Sequence, residues 1–285
     1  MKSQKKILIV GGTGFIGFHL AKICIKKGYQ VICVSTKKPL FSRRVTKVKY
    51  IICDIRKRKE LEKKIKKTFD YVINLGGYVD HSNKKKVYES HYQGCHNLAN
   101  LFLKTKIKRF IQLGSGMEYG KSKTPHFEKS KCFPKSIYSL SKYKASIYLL
   151  NLYKKNNFPC SILRLYQAYG PNQDFNRLIP EVIKACLLNK RFNCSEGSQK
   201  RDFLYIDDLI NLILKIIINK KSNGQIFNVG TGNPIKVKKL IQNIQKISKG
   251  GKPNYGAIKM RKDEIMYMYP SIRKSKKILK WKPKH

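Results

Sequence analysis

The chain has 285 residues, 41% of them apolar and 11% aromatic, which suits one large domain or a main domain with a smaller lobe and is too apolar for a disordered tail. No apolar run reaches the roughly 18–20 residues that cross a bilayer, and the N-terminus lacks the longer apolar stretch of a secretion signal, so a cytoplasmic protein without membrane insertion is expected. The net charge of +46 comes from lysines spread along the whole chain, as an AT-rich coding sequence would give, so no specific nucleic-acid partner is expected.

In chain order, Ile7–Val10 is an apolar run ended by glycines, and residues 15–27 carry a helical pattern with Gly28 just past its end. Strands are predicted at Val31–Val34, Val48–Ile52, Tyr71–Asn74, Phe110–Leu113 and Ser161–Leu165. Helices are predicted over 57–67, 87–104 and 137–155. Strands alternating with helices imply parallel β-α-β units, so the fold class is α/β, a Rossmann-type doubly wound parallel sheet. After about residue 170 prolines interrupt the pattern, and two further helices are expected at about 206–219 and 236–247. The eight cysteines form no C-x-x-C pair and no Cys/His cluster, so buried free thiols and no metal site are expected.

The first strand leads into Gly11-Gly-Thr-Gly14-Phe-Ile-Gly17, which opens a helix. Glycines here permit a tight turn and close approach of a pyrophosphate, and the helix N-terminus offers it free N–H groups and a positive dipole end. A dinucleotide site is therefore expected in residues 1–170, with later segments returning to that domain, and residues 171–285 form mainly a smaller C-terminal substrate-binding lobe. An acidic residue at the end of the second strand would take both ribose hydroxyls of NAD. Ser35 stands there instead, followed by Arg43 and Arg44. A small hydroxyl with nearby cations favours NADP(H), with NAD as the other choice.

Tyr138-Ser-Leu-Ser-Lys142 places a phenol and an ammonium four apart on one helix face. An ammonium nearby favours the phenolate and lowers its pKa from about 10, so Tyr138 could move a proton to or from a substrate oxygen. Upstream, the strand Phe110–Leu113 ends in Gly114-Ser115-Gly-Met-Glu-Tyr119-Gly120. Downstream stand Arg164-Leu-Tyr-Gln-Ala-Tyr-Gly-Pro171, Asn176-Arg-Leu-Ile-Pro180, Arg201-Asp-Phe-Leu-Tyr-Ile-Asp-Asp208, Asn228-Val-Gly-Thr-Gly232 and Leu279-Lys-Trp281-Lys-Pro283.

This ordered set, with the G-x-x-G-x-x-G spacing, resembles the extended short-chain dehydrogenases/reductases, and within them the NAD-dependent epimerase/dehydratase family that modifies nucleotide-linked sugars. The resemblance covers nearly the whole chain. It implies a catalytic triad of Ser115, Tyr138 and Lys142. It implies dinucleotide contacts from Gly11, Gly14, Phe15, Ile16, Gly17, Ser35, Asp54, Ile55, Leu75 and Gly76 as well as Tyr138 and Lys142, with Asp54 on the adenine amino group. It implies that Asn176, Arg201 and Arg261 contact the nucleotide diphosphate, and that the protein is a homodimer through helices such as 87–104 and 137–155. One departure is His91, where the family often carries Asn, and His81 in a nearby loop could face the substrate.

The residues after the catalytic hydroxyl bear on the reaction. The family's 4,6-dehydratases resemble Thr-Asp-Glu-x-Tyr-Gly, whereas Gly116 and Met117 follow Ser115 and cannot transfer protons. Glu118 is displaced by one residue and on a strand-like backbone would point the other way. Dehydration is set aside. A 4-keto reductase that makes a deoxysugar with NADPH is favoured, and the segment around Gln167 and Gln173 resembles CDP-abequose-synthase-like reductases. A 4-epimerase of the UDP-glucose type with bound NAD is the alternative, and a basic nucleic-acid-binding protein on a Rossmann scaffold is the alternative from another class.

Overall fold

A computed structural model describes residues 4–66, 68–78, 80, 82–261 and 263–285; His81 lies outside them. Its central sheet begins with β1 (Lys6–Val10), β2 (Gln30–Ser35), β3 (Lys49–Ile52), β4 (Tyr71–Asn74), β5 (Arg109–Ser115) and β6 (Cys160–Leu165). The short strands β7 (Gln167–Tyr169), β8 (Arg191–Asn193), β9 (Lys200–Arg201) and β10 (Phe203–Tyr205) lie outside it, and β11 (Gln225–Val229) returns as its seventh strand. The order across the sheet is β3-β2-β1-β4-β5-β6-β11, and every pair is parallel. The chain winds outward in both directions from β1 and β4, so the crevice at their carboxyl ends is the place a doubly wound sheet offers a ligand.

Alternation along the strands supplies both faces of this sheet. Ile7 and Ile9 of β1 join one core cluster, while Leu8 and Val10 join the other. The first cluster is covered by α1 (Phe15–Lys26) and by later helices described below, and the second by α2 (Arg58–Lys64), α4 (Gly94–Phe102) and α5 (Ile137–Asn156). The helix expected over 87–104 is broken: α3 (Lys84–Tyr88) passes through a π-helical turn, Glu89–Gln93, into α4. Such a turn adds a residue per hydrogen-bonded loop and shifts the faces that follow.

Beyond β7 come α6 (Leu178–Leu187), α7 (Ile206–Ile218), α8 (Val237–Ser248) and α9 (Arg273–Leu279), with the strands β12 (Ile235–Lys236), β13 (Lys252–Asn254) and β14 (Tyr267–Met268). α6 was not predicted, because Pro180 read as a breaker. It occupies the first turn, where a helical N–H has no partner within the helix. α6 and α8 enclose a small core of their own from Val182, Cys186, Cys194, Val237 and Ile241. α7 and α9 instead return to the main sheet, with Leu209, Ile213 and Leu279 in its first cluster. Trp281 closes the chain against α7, its indole N–H donating to the Asp208 carbonyl at 3.2 Å. No helix among the described residues is long and apolar enough to cross a membrane.

Candidate active site

A cleft of about 1300 Å³ opens at the carboxyl ends of the central strands. At its floor the glycine turn joins β1 to α1. Gly17 allows this join: a Cβ there would lie 2.3 Å from the Gly11 carbonyl oxygen. Gly14 is the N-cap and has no side-chain cap to offer, and the first turn of α1 holds no acidic residue. The N–H groups that begin the helix are thus open to an anion.

The cleft is lined by Gly11, Gly14, Phe15, Ile16, Gly17, Ser35, Asp54, Ile55, Leu75 and Gly76, and also by Ser115, Tyr138, Lys142, Arg201 and Arg261. Asn176 is exposed and lies outside the lining, whereas its neighbour Arg177 is part of it. Ser35 is tied to the glycine turn. Its hydroxyl donates to the Val34 carbonyl at 2.7 Å and accepts from the Thr13 N–H at 3.3 Å. Asp54 is held by Arg56, with 2.6 Å between Oδ2 and Nη2. Burial would raise its carboxyl, but the bonds to Arg56 outweigh this and hold it below the ordinary carboxylate range.

Two expectations about charge are corrected. Arg43 and Arg44 do not face the cleft. The Arg43 guanidinium is instead engaged by the Asn172 carbonyl and by the carboxylate of Asp174, which itself lines the cleft, as buried cations seek fixed acceptors. The second correction concerns Tyr138 and Lys142. Lys142 is buried and donates to the Leu113 carbonyl at 2.7 Å, with its ammonium 5.9 Å from the centre of the Tyr138 ring. Burial pushes Tyr138 above its ordinary value, a hydrogen bond with Ser115 opposing, and pulls Lys142 down to about 8. The phenol, not the phenolate, is the form this geometry favours at neutral pH.

Ser115 ends β5 and caps a short 3-10 turn, Gly116–Tyr119. Its side chain accepts from the Met117 N–H at 3.2 Å, and its own N–H donates to Glu118 Oε1 at 2.9 Å. Glu118 is off the cleft, as expected, but for a different reason from strand alternation. It closes the capping box and is fully buried, its other oxygen accepting from Arg164 Nε at 2.9 Å and Ser146 Oγ at 3.0 Å.

Gly116 has a packing reason of its own. A Cβ there would come within 2.8 Å of the Tyr166 ring. That ring is fixed in turn, since the Tyr166 hydroxyl lies 2.7 Å from His126 Nδ1. His126 Nε2 donates to the Ser122 carbonyl at 3.1 Å, so Nδ1 is the acceptor of the Tyr166 proton. Tyr166 lines the cleft but belongs to no motif of single catalytic residues, so its role could not be read from the chain. His91 also lines the cleft. Its ring stands edge-on to Tyr138 at 5.0 Å, and its Nε2 donates to the Tyr78 carbonyl at 3.2 Å. Among the described residues no three His, Cys, Asp or Glu gather to hold a metal ion.

Comparison with known proteins adds the family. Residues 7–230 match the description "NAD dependent epimerase/dehydratase family". CDP-abequose synthase of Salmonella muenchen is 32% identical over 92% of this chain and 88% of its own. dTDP-D-glucose 4,6-dehydratase of Dictyostelium discoideum is 31% identical over 80% of this chain and 58% of its own. Among solved structures, UDP-glucose 4-epimerase of Thermotoga maritima with UDP-glucose superposes with a TM-score of 0.90 at 24% identity, over 98% of this chain and 94% of that one. The family match spans most of the chain and the sequence likeness nearly all of it, and the chain belongs to the NAD-dependent epimerase/dehydratase family of extended short-chain dehydrogenases/reductases that modify nucleotide sugars.

Proposed function

We propose that the protein reduces a nucleotide-linked 4-keto-6-deoxyhexose with NADPH, in the cytoplasm and as a homodimer. The observation that carries the reading is the wall beside Ser115. Gly116 is packed under the Tyr166 ring, Met117 has no proton to give, and Glu118 is spent on Arg164. With no acid there, the groups at hand suit addition of a hydride and a proton to one carbonyl better than loss of water.

A nicotinamide dinucleotide suits the open helix N-terminus, the bare glycine turn and the lining from Ser35 to Gly76. Bound there, it would supply the hydride. The chain's own part is then plain. Tyr138, held as a phenol by burial, gives its proton to the sugar oxygen. Ser115 donates a hydrogen bond to that oxygen as negative charge grows on it. Lys142 keeps Tyr138 in register from the Leu113 carbonyl. Arg201 and Arg261 suit the diphosphate, because a guanidinium binds phosphate oxygens in pairs. Asp54 and Ile55 would sit against the adenine.

One observation favours the second reading, a 4-epimerase with bound NAD: Arg43, counted on for a 2′-phosphate, is already taken by Asp174. Purified protein should be titrated with NADPH and NADH, followed by a panel of nucleotide 4-keto-6-deoxysugars. Keto-sugar-dependent NADPH oxidation that falls about 10²–10⁴-fold in Tyr138→Phe is the expected result. NAD that copurifies, with interconversion of UDP-hexoses and no net oxidation, would establish the epimerase instead.

A further inference from the structure

The stretch from Gly170 to Arg177 is irregular chain between β7 and α6, and it carries Gln173, Asp174 and Arg177 into the cleft. Most of its residues are exposed. It is held from the opposite half of the molecule. Arg43, on the short turn that follows β2, reaches the Asn172 carbonyl with Nε at 3.1 Å and Nη2 at 2.6 Å. The same Nη2 lies 2.6 Å from Asp174 Oδ1. His19 of α1 donates Nε2 to the Pro171 carbonyl at 2.8 Å. On the stretch's own side, Gln173 Nε2 donates back to the Ala168 carbonyl of β7 at 2.9 Å.

The Arg43 side chain is 8% exposed while that of Asp174 is 52% exposed, so the cation is the anchored member of the pair. A planar fork with two bonds to one carbonyl and one to a carboxylate fixes direction as well as distance, which a single ammonium cannot do. Asn172, whose carbonyl is gripped, has a left-handed backbone (φ 62°) that Asn tolerates better than most residues. The grip takes hold of Asp174 directly, and the Asp174 carbonyl accepts from the N–H of Arg177, the N-cap of α6, at 3.1 Å, so the hold passes on to the second cleft residue.

We propose that Arg43 is a positioning residue for the sugar-nucleotide side of the cleft: it fastens residues 171–177 to the dinucleotide half and so sets where Asp174 and Arg177 stand. This rests on the nucleotide-sugar reading above. It also replaces the role that sequence spacing suggests, since an arginine spent on this grip is not free to read a cofactor phosphate.

The test uses the full chain with Arg43→Ala, Arg43→Lys and Asp174→Asn. Affinities for NADPH and NADH come from nicotinamide fluorescence. Affinities for CDP-, UDP- and dTDP-glucose come from calorimetry at saturating dinucleotide, a readout that needs no turnover. The expected result is about 10-fold weaker binding of the preferred nucleotide sugar in Arg43→Ala, as misplacement of cleft groups gives. Arg43→Lys should fall between, and Asp174→Asn, which keeps an acceptor, should lose less. The ratio of NADPH to NADH affinity should hold within about twofold, and with a turned-over sugar KM should rise while kcat stays within about threefold. Unchanged nucleotide-sugar binding in Arg43→Ala, or a selective loss of NADPH, would overturn the proposal. If the wild-type chain binds none of the three sugars, the nucleotide-sugar reading fails first and this one with it. If it binds one but reduces no keto sugar, only the reductase reading fails.

Discussion

His126 shows how a residue far from any motif shapes the cleft. It is fully buried, stacked on Tyr119 at 4.6 Å, and accepts the proton of Tyr166, whose ring covers Gly116. Burial pulls its pKa from the ordinary 6.5 down to about 4. Between those values the unfolded chain binds a proton that the folded chain does not, so stability from this group is fully present above about pH 6.5 and is lost as pH falls toward 4. The loss amounts to about 3 kcal/mol. Urea denaturation at pH 7 and pH 4.5 should show it, and His126→Gln should flatten the difference. An unaltered pH slope in that variant would remove His126 from the account.

At the scale of elements, α5 carries Tyr138 and Lys142, the pair proposed to be catalytic, in its first turns, so its start must be fixed. Ser136 does this: its Oγ accepts from the Ser139 N–H at 3.1 Å while its own N–H donates to Ser139 Oγ at 3.0 Å. Ser136→Ala should cost about 1 kcal/mol, the usual worth of such a cap, seen as a lower thermal midpoint. It should also lower kcat more than dinucleotide affinity, since Tyr138 lies two residues on. This helix, like β1, α1 and β4, was legible because its pattern is long or its neighbours are glycines. The π-helical turn at Glu89–Gln93 was not, because nothing in local preference separates it from the helix around it. β11 was hidden for another reason. Gln225 and Asn228 interrupt its apolar run, so the local sequence shows only two apolar residues in a row where the sheet places a strand. The lining of the cleft was largely readable from motif spacing, but the direction of a long side chain was not: Arg43 sits where a cofactor cation should and points elsewhere.

For the whole molecule, charge is the dominant excess. Ion pairs among the described residues engage Asp54, Asp70, Glu60, Glu62 and Glu118 among others, yet 62 Lys and Arg face only 16 Asp and Glu. Most cations therefore repel one another across solvent. Salt screens that repulsion, so the thermal midpoint should rise between 20 mM and 500 mM NaCl, against the fall expected of a protein held by surface pairs. A midpoint that fell would mean the pairs outweigh the repulsion. Amid this surplus, Arg201 is one cation already claimed, by Glu264 on the segment that leads into the neighbouring strand β14. The protein thus carries its own rival to any diphosphate that Arg201 would receive. A measured affinity is then a difference between two anions, one of them tethered and always present. Glu264→Gln should tighten binding of CDP or UDP by removing the incumbent, while a weaker complex would show that Glu264 serves the ligand and does not compete with it. In the wild-type chain the exchange of one anion for another would free a carboxylate each time the site fills, making arrival of the ligand and loss of the Arg201–Glu264 pair a single event.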